Sequence, residues 1–234
     1  MFKEKLFLGL TAFLLICLIL ISQFSFINRV STLVNISFFD NNPFFLNDSI
    51  VNKLLIQKRD KKENYSNLKL DLNDIEKYLD SYPGVRKAEV FLSVSGITNV
   101  KIHESSALLR VQNESFYIDT FGGKIPFSKM YSPKVPVYSG VLKNENLKNL
   151  ITITNSISID TYLKSEFVEI WNSNLGFSIR LRNYDFEILF GDIKNINKKI
   201  IKLKAFCAYN NMNNFDKKPK KIDLTVFDQV ISIH

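Results

Sequence analysis

An uncharged apolar stretch from Leu6 to Ile27 constrains this chain more than any other feature. It is 22 residues long, with Lys3, Glu4 and Lys5 before it and Arg29 just after. At a helical rise of about 1.5 Å per residue such a stretch matches the hydrocarbon core of a bilayer. Its Leu, Ile and Phe residues each favour insertion by roughly 0.3 to 0.6 kcal/mol, and no charge opposes them. No second stretch of this kind occurs. The sequence therefore predicts one transmembrane helix at 6–27 and one water-facing body. A cleaved signal peptide is the rival reading, but the apolar region is too long for it. Small-x-small cleavage after Ser22 or Ser25 meets Leu20 or Gln23, and Ile16 before Cys17 does not suit a lipoprotein site. Lys3 and Lys5 place residues 1–5 in the cytoplasm and the body outside it.

A hydrophobic fraction of 46% with 20 Phe is too rich for disorder, and the length suits two domains. Cys207 has only Cys17 as a possible partner, and Cys17 lies in the apolar stretch, so no disulfide framework is available. The net charge of +8 is spread through the chain among carboxylates, which favours a solvated surface over a nucleic-acid site.

Alternation over Leu33–Phe38 predicts a first strand, and Ile50, Val51, Leu54 and Leu55 predict a helix capped by Asn47 or Ser49. The charged insert 58–67 reads as a loop. Asp71 opens a second helix with Leu72, Ile75 and Leu79 on its buried stripe, ending at Pro83-Gly84. Strands at 87–92 and 99–103, joined through Ser95-Gly96, complete a β-α-α-β-β order. Hairpins follow at 109–118, and Thr120–Lys124 turns into Ile125 and Phe127. Leu163, Phe167, Ile170 and Trp171 predict a helix over 160–171. The alternating runs 177–181 and 186–190 predict a hairpin. Asp192 caps a helix bearing Ile196, Ile200, Leu203 and Cys207, and a last strand spans Ile222–Ile231. The fold class expected is α+β, the second domain carrying an antiparallel sheet.

Catalytic chemistry finds little support. His103 and His234 are the two histidines, and no G-x-S-x-G, C-x-x-C or H-x-x-x-H occurs. Gly122-Gly123-Lys124 lacks the other parts of a phosphate loop and reads as a turn. Asp71, Asp74, Glu76 and Asp80 read as the cap and solvent face of one helix, and Phe44-Phe45 as core. No catalytic, metal or cofactor site is expected.

Several segments resemble the FtsQ/DivIB cell-division family. Leu70–Glu76 leading to Tyr82-Pro83-Gly84-Val85-Arg86-Lys87-Ala88-Glu89-Val90 is similar to the family's helix and Pro-x-Val-x-x-Ala-x-Val turn into a strand. Val100–Glu104 resembles the next strand with its closing glutamate. Tyr117–Gly123 is similar to the Tyr-Ile-Asp-x-x-Gly hairpin, Val135–Gly140 to the proline segment after it, and Ile222–Leu224 with Gln229-Val230 to the final strand. Gly84 departs from the Trp found in many members, and Ser105-Ser106 from the usual residues before Ala107. Leu92–Gly96 and the short second domain look most like Bacteroidetes members. The resemblance implies a POTRA domain at 34–104 and a β domain at 105–234, in a non-enzymatic inner-membrane scaffold of the divisome. It also implies FtsB and FtsL-like partners, with FtsB binding near the last strand. Asp223, Thr225, Phe227, Gln229 and Ile231 are the partner-binding candidates, Phe227 as aromatic anchor on the parity opposite Ile222, Leu224 and Val226. The alternative is a POTRA-containing chaperone-like or export-associated envelope protein.

Overall fold

The computed structural model describes residues 2–27, 34–39, 44–60, 71–128, 131–212 and 219–234. The chain divides into two compact units, Met1–Glu104 and Ser105–His234. Helix α1 spans Phe2–Ile27, and its described side chains, Phe7 and 9–22, are exposed apart from the half-buried Cys17. Among the described residues no helix is long and apolar enough to cross a membrane. The transmembrane span expected at 6–27 therefore finds no support among the described residues.

The first unit continues with β1 (Val34–Phe38), α2 (Asp48–Asp60), α3 (Leu72–Asp80), β2 (Val85–Leu92) and β3 (Thr98–Glu104). This is the β-α-α-β-β order read from the sequence. Strand β3 lies in the centre, parallel to β1 and antiparallel to β2. Its alternation puts Val100 and Ile102, both fully buried, against the helices. Val51 and Leu54 from α2 and Leu79 from α3 complete that core. Asn47 caps α2 by accepting from the Ile50 amide at 2.8 Å, and Asp71 caps α3 by accepting from Asp74 at 3.2 Å. Of the predicted insert 58–67, the first three residues continue α2, and 61–67 lie outside the described residues.

Gly84 takes φ of +93° where the chain turns from α3 into β2. A side chain is strained there, which accounts for glycine in place of the aromatic that the resemblance expects. Two carboxylates of α3 reach the side of β2 away from β3. Asp80 accepts from the Ala88 amide at 2.6 Å and Glu76 from the Val90 amide at 2.7 Å. The Glu104 carboxylate accepts from three successive amides, Phe44 at 2.7 Å, Phe45 at 3.0 Å and Leu46 at 2.6 Å. Of these three residues Leu46 is the one in the core. Phe44 is exposed and Phe45 half-buried, contrary to the core reading of the Phe pair.

The second unit comprises β4 (Ala107–Val111), β5 (Phe116–Asp119), β6 (Lys124–Pro126), β7 (Val137–Tyr138), α4 (Asn144–Ile159), α5 (Thr161–Glu166), β8 (Phe167–Ser173), β9 (Gly176–Leu181), β10 (Glu187–Gly191), α6 (Ile196–Met212), β11 (Lys221–Asp223) and β12 (Ile231–Ile233). The strands form one nine-stranded sheet in the order β12-β11-β10-β9-β8-β7-β4-β5-β6. The sheet is mixed rather than antiparallel, because β7 runs parallel to β4 and β8, and β11 parallel to β10. Ile170, Ile179, Ile188 and Ile222 on one face share a core with Leu150, Ile153 and Ile157 of α4 and Leu203 and Cys207 of α6.

Two expectations change here, and one helix appears that none of them covered. The helix predicted over 160–171 stops at Glu166, and Phe167–Trp171 enters β8. Asp160 does cap that short helix, accepting from Tyr162 and Leu163 at 3.1 and 3.0 Å. Beyond it, pairing with β9 decides the conformation of an aromatic and β-branched run whose spacing also fits a helix. Helix α4 has no counterpart in the sequence reading, because Ile151–Ile159 alternates like a strand while Leu150, Ile153, Thr154 and Ile157 form its buried stripe. Asp192 lies four residues before α6. It accepts from Lys194 at 3.0 Å instead of capping the helix, and the Lys199 amide bonds the carbonyl of Asn195, whose φ is +53°.

Candidate functional site

The end of the chain forms a short hairpin rather than the single strand predicted over 222–231. Ile222 and Leu224 are fully buried, and the Leu224 amide donates to Leu189 O at 3.0 Å. The chain then turns. Asp223 Oδ1 accepts from both the amide and the hydroxyl of Thr225 at 2.7 Å, and Asp228 takes φ of +54°. The turn packs closely on β10, since a Cβ on Gly191 (φ +79°) would stand 2.6 Å from Thr225 Cγ2. Lys202 of α6 donates to Leu224 O, Val226 O and Gln229 O at 2.9, 2.7 and 3.0 Å. Strand β12 returns antiparallel to β11, pairing Lys221 with Ile233, Ile222 with Ser232 and Asp223 with Ile231. Among the described residues it is the outermost strand and has a strand neighbour on one side only.

This arrangement separates the five candidate residues. Asp223 lies inside the sheet, its strand paired on both sides, and Thr225, Phe227 and Gln229 belong to the turn and its exit. Ile231 faces Asp223 across the β11–β12 pair. Parity opposite to Ile222, Leu224 and Val226 holds only along a continuous strand, and the strand ends at Asp223. Phe227 is nonetheless 67% exposed, because the turn carries it away from the core. The Lys198 ammonium stands 4.5 Å from its ring centroid and 3.7 Å from Asp228 Oδ1. Ile231 and Ile233 are also exposed and share one face of β12. Ile233, Lys198 and Lys202 escaped the sequence reading. Only the turn signal of Asp228 stood in the sequence, within a run that otherwise alternates as a strand.

Charge at this edge is largely paired. Burial opposes ionisation of Glu187, but hydrogen bonds from Ser178 and Lys221 (2.8 and 3.0 Å) hold its carboxyl below the ordinary range. Burial, aided by neighbouring Lys199, lowers the Lys202 ammonium below the usual lysine value, with Asp228 and Asp223 opposing. Lys199 is itself buried and donates to Asp192 O and Oδ1 at 2.8 and 3.1 Å.

The other sequence candidates have structural roles. Asp119 Oδ1 accepts from Phe121 and Gly123 at 2.8 and 2.7 Å, so Gly122-Gly123 is the turn of the β5–β6 hairpin. Gly140 leaves room for the buried Tyr138, whose hydroxyl donates to Val141 O at 2.9 Å. His103 stacks on Phe39 at 4.6 Å. Cys207 is a free thiol raised to about 11 by burial. Among the described residues no cluster of His, Cys, Asp or Glu is suited to a metal ion.

Together these features define a two-unit α+β protein, a small three-stranded unit followed by a larger mixed-sheet unit that ends on an open edge. No curated protein matches the chain. The model of the family "FtsQ/DivIB, C-terminal related" matches residues 107–233, more than half of the chain and nearly all of the second unit. The chain belongs to the FtsQ/DivIB family of cell-division proteins.

Proposed function

We propose that this protein is a non-enzymatic scaffold of the divisome that docks FtsB and FtsL-like division proteins and links them to septal wall synthesis. In this reading residues 6–27 anchor it in the inner membrane, with a cytoplasmic N-terminus. A POTRA unit (34–104) and a β unit (105–234) stand in the periplasm at the septum. The uncharged 22-residue stretch behind Lys3 and Lys5 supports the anchor. The β-α-α-β-β order supports the POTRA assignment.

The observation that carries the docking role is β12, an outermost strand that bears exposed Ile231 and Ile233 and follows the turn carrying exposed Phe227. An extended partner segment adding to such an edge gains affinity from main-chain hydrogen bonds, and neighbouring apolar side chains add anchoring contacts and specificity. Asp223, Thr225 and Gln229 border the same turn. Phe227→Lys tests the reading. An exposed position leaves fold stability within about 0.5 kcal/mol, while loss of an anchor worth about 2 kcal/mol weakens capture of the periplasmic segment of FtsB roughly thirtyfold. Undiminished capture refutes the edge as the docking site. A fluorescent fusion of the full chain forms a midcell band, and a uniform envelope signal refutes the divisome role.

A further inference from the structure

Three main-chain carbonyls of the second unit point at one place. Leu224 O, Val226 O and Gln229 O stand 2.9, 2.7 and 3.0 Å from Lys202 Nζ. Oxygens brought together in this way repel one another unless a donor or a cation lies between them. An ammonium carries three N–H groups on a single atom, so donors and acceptors match one to one. A guanidinium spreads its donors across a plane and matches this convergence poorly. The carbonyls belong to the segment 224–229, which contains Phe227 and leads directly into β12. Strand β12 pairs with β11 over only three residues, so the turn decides whether and in which register it stays on the edge. The groups around the ammonium are Lys198 and Lys199 on its own helix, Asp223 at the end of β11 and Asp228 on the turn.

We propose that Lys202 is the positioning residue of the C-terminal edge: by tying three carbonyls of the 224–229 turn it sets the register of β12 and the display of Phe227. The inference rests on reading β12 as the docking edge, and it assigns Lys202 an effect through the turn rather than by contact with a partner.

The test compares Lys202→Met and Lys202→Arg with the native full-length protein by amide hydrogen exchange and by capture of the periplasmic FtsB segment. Lys202→Met raises exchange at 225–233 at least tenfold, leaves β9 and β10 unchanged, and weakens capture at least tenfold. Lys202→Arg falls between Met and the native residue in both readouts. Unchanged exchange at 225–233 overturns the proposal. So does a rise shared equally by β9 and β10, which marks general destabilisation, and so does faster exchange with native capture. Failure of the native protein to capture the segment refutes the docking reading instead, because the exchange measurement involves no partner.

Discussion

Removing the Glu104 carboxylate offers the sharpest test of how the first unit is held together. Three successive amides at 2.7, 3.0 and 2.6 Å converge on this side chain, which stands at the end of the central strand. A hydrogen bond to a charged acceptor contributes about 1.5 to 3 kcal/mol net. Leu46 is only 6% exposed, so its amide finds little water when the carboxylate is gone, whereas Phe44 is 48% exposed and its amide is rehydrated. Taking the low end for Phe45 and Leu46 and about half of it for Phe44 gives a loss of roughly 3 to 4 kcal/mol for Glu104→Ala. Glu104→Gln keeps one acceptor oxygen but loses the charge, and a cost of about 2 kcal/mol is expected. A unit of this size has a total stability of only about 4 to 10 kcal/mol. The assay is amide exchange in the full-length protein, with peptides from 98–104 reporting the first unit and peptides from 167–190 the second. Glu104→Ala accelerates the first set about a hundredfold or more and leaves the second unchanged. Acceleration below about tenfold, or equal acceleration of both sets, refutes this account of the carboxylate.

Two further outcomes follow from the second unit. The Thr154 hydroxyl is fully buried and has no hydrogen-bond partner among the described residues. Thr154→Val removes that unsatisfied group at nearly constant shape, and chemical denaturation should show a gain of about 1 kcal/mol; a loss would mean that the hydroxyl is satisfied in solution. Asp160 caps α5 and accepts from Lys204 Nζ at 2.7 Å, and these bonds depress its carboxyl below the ordinary 3.8. A depressed carboxyl stabilises the fold above its unfolded value, and this contribution disappears as pH falls through the lower folded value. Asp160→Ala should therefore cost about 1 kcal/mol near neutral pH, and the gap from the native protein should narrow in denaturation curves taken below pH 3.8. A gap independent of pH refutes the ionic part of the cap.

The first unit was legible because its local signals agree with its tertiary ones. Asn47 and Asp71 stand before apolar stripes of helical period, and Val100 and Ile102 alternate on a strand that forms a local hairpin with β2. In the second unit the two levels disagree. Ile151–Ile159 alternates like a strand, received no predicted element, and folds as a helix because Leu150, Ile153 and Ile157 meet the sheet; Phe167–Trp171 reads as a helix and folds as a strand because β9 pairs with it. The site was legible as a region near the last strand, but not in its geometry. Nothing local to Lys202 announces three carbonyls brought together from residues 22 to 27 positions away.

The carboxylates of Glu76 and Asp80 already occupy the place that an incoming chain would need beside β2. A newcomer would have to evict two anions from their donors and leave them facing its own carbonyls, an electrostatic penalty that no single extra hydrogen bond offsets. One margin of the small sheet is in this sense self-sealed. Neighbouring copies of the protein would therefore be kept from zipping together there, without any proline in the strand to enforce it.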